Sequence, residues 1–242
     1  MAYVKDYTSG YATTPSKEET AVSAYKSMFG WMACGLGLTA LTSYVVMERI
    51  YQSEAFAEFF LSKGMMWFLV IASFGMVLSL SACIYRMSFT VATLVFALYS
   101  VVMGAWITPL LLVYTKSSVF QAFLVTAGTF AGMAVYGHFT KADLSKVGKI
   151  CIMALWGVII ASLVNFFFQS STMSYVMSYI SVAIFCGLTM YDVQKFKQVL
   201  ESYGDSADDN VRKIALLGAL NLYMDFLNLF INLLHLLSGR RS

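Results

Sequence analysis

Seven apolar stretches constrain what this 242-residue chain can fold into, because each is close to the roughly 20 residues that a helix needs to cross a bilayer. They cover residues 27–47, 65–85, 91–114, 119–139, 150–168, 173–193 and 214–237. In hydrocarbon every backbone N–H and C=O must be bonded within the protein, so such segments cross as helices. The sequence therefore predicts an all-α, polytopic membrane protein with a bundle of seven helices.

Composition supports this class, since 59% of the residues are hydrophobic and only 12% are charged. Residues 1–26 are polar and rich in Tyr and Thr, and we expect them to form a disordered cytoplasmic tail before a transmembrane domain over residues 27–242. The net charge of +3 includes no basic cluster, which argues against a nucleic-acid partner. The expected surroundings are the lipid bilayer.

The distribution of Lys and Arg predicts the orientation of the chain. Of the 16 such residues, 11 fall in the N-terminal tail and in the second, fourth and sixth connecting segments, and 5 fall on the opposite side. The positive-inside rule then places the N-terminus in the cytoplasm. The short loops and the lack of an organelle signal are compatible with a bacterial inner membrane, which is the expected location. Seven crossings would leave Arg240 and Arg241 outside, where they fit poorly, so a short or re-entrant last helix stays open as an alternative.

A polar stripe runs along the last apolar stretch, residues 213–237. Its members advance by three or four residues, which places them on one face of a helix: Gly218, Asn221, Asp225, Asn228, Asn232 and His235. Carboxylate and amide groups cannot face lipid without a partner. We therefore predict that the C-terminal helix lies at the centre of the bundle, wrapped by the other six helices.

Asp225 is the most informative residue of this stripe. An aspartate at the centre of a spanning helix costs roughly 2.5 to 3.5 kcal/mol on insertion scales, so it usually faces a cavity or a partner. A protonated packing carboxyl is the alternative to a functional one. The sixth stretch carries a similar stripe of hydroxyl groups that ends in Asp192. If the membrane portion of the last helix begins nearer Gly218, or if the sixth helix continues past Lys197, the two aspartates should meet and form an ion site.

Other polar residues are candidates for the same pathway. Arg86 ends the second stretch on the cytoplasmic side, where it either anchors the helix at the headgroups or pairs with Asp192 and closes the mouth. Asn221, Asn228 and Asn232 are candidate pore-lining residues, as is His235, although a histidine satisfied within the core is the simpler interpretation of that position.

Small residues predict where helices approach closely. Gly30, Cys34 and Gly37 share a face of the first stretch, and Gly128 and Gly132 have GxxxG spacing in the fourth. We expect both faces to pack against other helices.

Three stretches together resemble one known family: FTKADLSKVG at 139–148, GLTMYDVQKF at 187–196 and ALNLYMDFLNLF at 219–230. They are similar to the Bax-inhibitor-type family, also called the transmembrane Bax inhibitor motif family, over nearly all of the membrane portion. The resemblance implies a seven-helix bundle around its C-terminal helix and a pH-sensitive calcium leak. It also implies that Asp192 and Asp225 are the pH sensor. In bacterial relatives an arginine of the second helix engages the pair in the closed state, and Arg86 is the matching candidate.

The chemistry of an aspartate pair fits such a sensor. Two carboxyls within hydrogen-bond reach in a low-dielectric site do not readily both ionise, so the pair should share one proton. We expect loss of that proton to loosen the bundle and open a cation path. Calcium takes roughly 6 to 8 oxygen ligands, so two aspartates would bind it only weakly, as suits a permeant ion. No other cofactor is expected.

Three other functions share some of these sequence features. An intramembrane aspartyl protease would explain Tyr191 followed by Asp192, but Asp225 follows Tyr-Met where those enzymes have GxGD, so no enzyme is expected. A proton-coupled calcium exchanger uses paired acids equally well. A regulator that binds a membrane protease or another partner protein is the third alternative, with the N-terminal tail as its candidate docking segment.

Overall fold

The computed structural model describes residues 17–202 and 209–237. Within these ranges the chain forms eight α-helices: α1 Lys17–Gln52, α2 Glu54–Phe60, α3 Lys63–Cys83, α4 Phe89–Val113, α5 Lys116–Phe139, α6 Ser145–Phe168, α7 Ser171–Ser202 and α8 Asp209–Leu237. A single 3-10 turn, Ile84–Arg86, follows α3. All the helices except α2 are long and apolar enough to cross a membrane. The predicted all-α bundle of seven long helices is confirmed.

Short polar connections fix where several helices begin. In each of four connections a hydroxyl side chain accepts a hydrogen bond from the backbone N–H three residues later and caps the helix that follows: Ser53, Ser62, Ser88 and Thr115. Because these connections are short, each spanning helix runs antiparallel to the spanning helix that follows it. A Ser or Thr between two apolar runs in the sequence therefore marks where one helix ends and the next begins.

The C-terminal helix α8 is the centre of the bundle. In its most apolar window 72% of the residues are buried, against 39% for α7 and no more than 33% for any other spanning helix. It packs directly against α1, α4, α5 and α7 and against the 3-10 turn, whereas α6 lies outside α7. The predicted central position of the C-terminal helix is confirmed.

The closest helix crossings use other glycines than those predicted. A Cβ at Gly104 of α4 would lie 2.5 Å from the carbonyl oxygen of Thr39, so only glycine lets α1 and α4 approach this far. In contrast, added Cβ atoms at Gly30, Gly37, Gly128 and Gly132 would meet nothing within 4 Å, and Cys34 is exposed. The predicted packing role of these small residues within the bundle is wrong. Small residues also occur on lipid-facing sides of membrane helices, so spacing alone does not locate a crossing.

The N-terminal segment is more ordered than predicted. Helix α1 begins at Lys17, so residues 17–26 are helical rather than disordered. The segment is rich in Lys, Glu and Ala, which favour helix, and the Tyr25 hydroxyl lies 3.0 Å from Nδ1 of His138 on α5. Residues 1–16, the rest of the predicted tail, lie outside the described residues.

The last helix is continuous from Asp209 to Leu237, and its 29 residues are enough to cross a bilayer completely. A re-entrant or shortened helix is therefore not required by its length. Arg240 and Arg241, which prompted that alternative, lie outside the described residues.

Candidate ion site between α7 and α8

The register of α7 against α8 determines whether the two predicted aspartates meet. Helix α7 continues beyond Lys197 to Ser202, which meets one of the two conditions under which the aspartates were expected to approach each other. An added Cβ at Gly218 would lie 3.0 Å from the ring of Phe196, so these two residues are at the same level. Since the helices are antiparallel, Asp192 then lies level with Leu222. Asp225 is three residues further along α8, an axial offset of roughly 4.5 Å.

Asp225 is almost completely enclosed. Its exposed fraction is 5%, and its Oδ2 atom makes no hydrogen bond with any residue that the structure describes. The electrostatic field of Asp192, which is half-buried on α7, acts directly on Asp225. A buried carboxyl without a partner is costly. The structure thus brings the two predicted aspartates together in the interior of the bundle.

A lysine on α7 supplies a positive charge that acts on this pair. Lys195 is the cation whose field acts on Asp192, and its Nζ lies 5.6 Å from the ring centroid of Tyr191 and 5.5 Å from that of Phe196. Arg86 is exposed at the end of the 3-10 turn that contacts α8. Its role as a counter-ion in a closed state stays a prediction.

The amides of the polar stripe are partly satisfied by α8 itself. Nδ2 of Asn228 donates to the carbonyl oxygen of Met224 at 2.9 Å, and Nδ2 of Asn232 donates to that of Asn228 at 2.8 Å. Asn221 is half-buried. Asn228 also lines a cavity of about 280 Å³ between α3, α4 and α8. Each bond uses one of the two N–H donors of its amide, and the amide oxygens are the groups that could meet a cation.

His235 lies at the far end of the stripe and joins three helices. Its Nδ1 atom is 3.3 Å from the hydroxyl of Tyr114 on α4, and its ring lies 4.9 Å from that of Tyr175 on α7. These contacts hold the ring between the end of α4 and helix α7, and a role of His235 in lining a pore stays a prediction.

The comparison with known proteins identifies the family. The sequence model described as "Inhibitor of apoptosis-promoting Bax1" matches residues 22–242. The chain belongs to the Bax inhibitor family. Among its relatives, the inner membrane protein YbhL of Escherichia coli strain K12 is 40% identical over 220 residues, which cover 88% of this chain and 90% of YbhL.

Two more members of the Bax inhibitor family show how far the likeness extends. An uncharacterized protein of Borreliella burgdorferi is 39% identical over 216 residues, covering 89% of this chain and 91% of the relative. An uncharacterized protein of Rickettsia prowazekii is 33% identical over 244 residues, covering 98% of this chain and 99% of the relative. The chain is an integral membrane protein, and the name of its Escherichia coli relative agrees with the predicted inner-membrane location.

A hydroxyl network above the aspartates was not predicted from the sequence. The fully buried Tyr223 hydroxyl lies 2.6 Å from Oγ1 of Thr39. The Thr39 hydroxyl in turn donates a hydrogen bond of 2.9 Å to the carbonyl oxygen of Ser100. The network ties α8 to α1 and α4 two residues from Asp225. Small residues at four-residue spacing in α4, Ser100, Gly104 and Thr108, were the signal for this crossing.

A second missed residue holds the segment between α5 and α6 against α7. Gln194 is buried, its Oε1 accepts from the N–H of Leu144 at 3.0 Å, and its Nε2 donates to the carbonyl oxygen of Ala142 at 2.8 Å. This joins two of the stretches that carry the Bax inhibitor resemblance. Gln194 follows Asp192 by two residues, so it helps to position the helix that carries that aspartate.

The metal-binding capacity of the site is small. In residues 17–202 and 209–237 no group of three or more His, Cys, Asp or Glu side chains is arranged to hold a metal ion. Two carboxylates fall well short of the roughly 6 to 8 oxygens of a stable calcium site. A divalent cation at Asp192 and Asp225 would have to keep most of its water.

Proposed function

We propose that this Bax inhibitor family protein is a pH-sensitive calcium-leak channel of the bacterial inner membrane, without enzymatic activity. The observation that carries the proposal is the position of Asp225. It is an acid with an unpartnered oxygen on the most buried helix of the bundle, and Asp192 faces it from α7. Intramembrane acids placed in this way usually serve ion or proton movement.

The gate in this proposal is the proton shared by the two carboxyls. When the pair holds one proton, a hydrogen bond between the carboxyls joins α7 to α8. When pH rises and the proton leaves, two negative charges face each other in a low-dielectric interior and repel strongly. The interface between α7 and α8 then loosens. A calcium ion attracted to the charged pair binds weakly and can leave again.

The path in this proposal follows the polar stripe of α8 away from the gate. The cavity lined by Asn228 also includes Met224, the residue next to Asp225, and it is bounded by Ser73 of α3 and Tyr99 of α4. Asn221, Asn228, Asn232 and His235 are the proposed lining residues. Arg86 is the proposed counter-ion that pairs with Asp192 and closes the cytoplasmic end of the path.

The proposal is tested by calcium flux into liposomes that contain the purified protein, measured between about pH 6 and pH 8, the range in which a buried shared proton can titrate. We expect flux to rise with pH in the wild type, and Asp225→Asn to remove that dependence because an amide cannot lose the proton. Asp143→Asn is the matched control, since Asp143 is exposed and its bond to the N–H of Ser145 can also be accepted by an amide oxygen.

Two outcomes would reject the leak. If calcium enters only when a pH gradient is applied, and moves against its own gradient, the protein is a proton-coupled exchanger. If liposomes stay tight to calcium at every pH, the protein acts by binding a partner protein. An equal change in Asp143→Asn and Asp225→Asn would show that the effect does not arise at the pair.

A further inference from the structure

A second cavity, larger than the one lined by Asn228, is lined by neither of the two aspartates. It has a volume of about 440 Å³ and is enclosed by α1, α4, α5 and α8. This is within the usual size of a small-molecule site, roughly 300 to 1,000 Å³. Its inner wall is formed by Phe226, Leu227 and Phe230 of the central helix. Whatever fills the cavity therefore touches α8 at the residue next to Asp225.

The two hydroxyl groups in the deep wall of this cavity have no hydrogen left to donate to a ligand. Thr39 donates its hydrogen to the carbonyl oxygen of Ser100, and Ser43 donates to that of Gly104 at 2.7 Å. Both hydroxyls face the cavity with their donors already used. The remaining inner lining is aliphatic and aromatic. The part of a ligand that enters this far must therefore be apolar, which excludes a hydrated ion.

The cavity opens sideways, toward the membrane, along the outer half of the bundle. Tyr44 of α1 and Phe120 and Phe123 of α5 line it and are exposed. Along α1 the lining runs from Leu36 to Tyr51, about 22 Å at 1.5 Å per residue. One leaflet of hydrocarbon is roughly 15 Å deep, so the cavity is long enough for an extended acyl chain that enters from the lipid.

The mouth of the cavity carries a positive charge. Lys116 lines it and is the first residue of α5, and Tyr51 lines it near the end of α1. A lysine at a helix N-terminus favours an anion, because the charge and the helix dipole act together. An elongated apolar cavity with a cation at its interfacial end is complementary to one amphiphile, a lipid with an anionic headgroup.

We propose that this cavity binds an anionic phospholipid of the surrounding bilayer, with one acyl chain between α1 and α5 and its phosphate at Lys116. The chain then fills the space beside Phe226 and Phe230 and supports the central helix. This site is separate from the aspartate pair and does not depend on calcium leakage.

The test is native mass spectrometry of the intact purified protein, titrated with phosphatidylglycerol or with phosphatidylcholine of the same chain length. We expect phosphatidylglycerol to be retained preferentially, and Lys116→Gln to weaken its apparent affinity about fivefold with little effect on phosphatidylcholine. Lys63→Gln is the matched control, because Lys63 is the exposed first residue of α3 on the same face of the membrane but does not line the cavity.

A second pair of variants tests the chain-binding part independently of charge. Ala40 is exposed within the cavity, so Ala40→Phe should block the acyl chain and abolish retention of phosphatidylglycerol. Ala33→Phe places the same bulk on an exposed position of α1 outside the cavity and should bind as the wild type does.

Three results would overturn the proposal. They are equal retention of the two phospholipids by the wild type, equal effects of Lys116→Gln and Lys63→Gln, or unchanged binding in a folded Ala40→Phe protein. Displacement of phosphatidylglycerol by free palmitate at equal concentration would also overturn it, since the occupant would then be a fatty acid.

Discussion

Asp225 shows how one residue can shape a membrane bundle. A carboxyl on a spanning helix costs a few kcal/mol unless it finds a partner or a cavity, so the helix that carries it is driven to the interior. In this chain the exposed fraction of Asp225 is 5%, and its nearest ionisable influence is a second acid, Asp192. Two acids held together in a low-dielectric interior lower the stability of the fold. Such an arrangement is typical of a functional site, here a proton-dependent switch.

The shared proton makes a prediction about the double variant Asp192→Asn/Asp225→Asn. Removing either acid removes the shared proton, so each single variant should already flatten the rise of calcium flux with pH. The double variant should flatten it no further, because residues that act as one unit are not additive. The measurement is flux into liposomes across the same pH range for all four proteins. Effects that add independently would show that the two acids do not share a proton.

At the scale of the helices, the crossing of α1 and α4 decides how tightly the bundle closes. Gly104 allows the backbone of α4 to touch Thr39, and Ser43 donates to the carbonyl oxygen of Gly104. The Thr39 hydroxyl lies 2.6 Å from that of Tyr223 on α8. This crossing therefore sets the position of the central helix.

We predict that Gly104→Ala lowers the free energy of unfolding by about 1 to 3 kcal/mol, since the new methyl group must push α1 and α4 apart. Gly128→Ala is the control, because a Cβ there meets nothing within 4 Å. That substitution should be neutral or stabilise by about 0.5 to 1 kcal/mol through helix propensity. Thermal unfolding in detergent measures both. Similar melting temperatures for the two variants would contradict the packing argument.

The segment between α5 and α6 gives a second prediction at this scale. Gln194→Ala leaves the N–H of Leu144 and the carbonyl of Ala142 without their partner, at a cost of about 1 to 3 kcal/mol. Hydrogen exchange of the Leu144 amide should therefore become faster while the core of α8 stays protected. Gln121→Ala, at an exposed position of α5, is the comparison. An unchanged exchange rate of the Leu144 amide in Gln194→Ala would show that the hydrogen bonds of Gln194 are not needed to order this segment.

At the scale of the whole molecule, the charge distribution and the antiparallel order of the helices imply one orientation in the membrane. The N-terminal end of α1, the segment between α5 and α6, the C-terminal end of α7 and the N-terminal end of α8 all lie on one face, which carries most of the basic residues. The connection through α2 lies on the other face. The positive-inside rule makes the basic face cytoplasmic.

This orientation is tested by cysteine labelling in intact cells, in a background free of the four native cysteines. A cysteine at exposed Ser53, in Ser53→Cys, should react with a membrane-impermeant maleimide. A cysteine at exposed Lys141, in Lys141→Cys, should react only after the membrane is permeabilised. Labelling after lysis is the control for reactivity. The reverse pattern would invert the predicted topology.

Much of the architecture was readable from local patterns in the sequence. The apolar runs predicted all seven long helices, and the polar stripe through Asn221 and Asp225 predicted that α8 would be central. The same reasoning misplaced the close crossings, because Gly128 and Gly132 have the spacing of a packing motif but lie in open space. The GxxxG spacing indicates that another helix could approach closely at this face, but it does not indicate which helix does so.

The sequence by itself determined the class of protein, the number of long helices and which helix is buried. These properties follow from local segments, because each polar group exposed to lipid without a partner costs free energy. Only the tertiary structure decided which groups meet. The register set by Phe196 on Gly218 brings Asp192 close to Asp225, and the packing of α1, α4, α5 and α8 leaves a cavity beside Lys116. These features depend on how side chains from distant segments pack, and no local pattern carries that information.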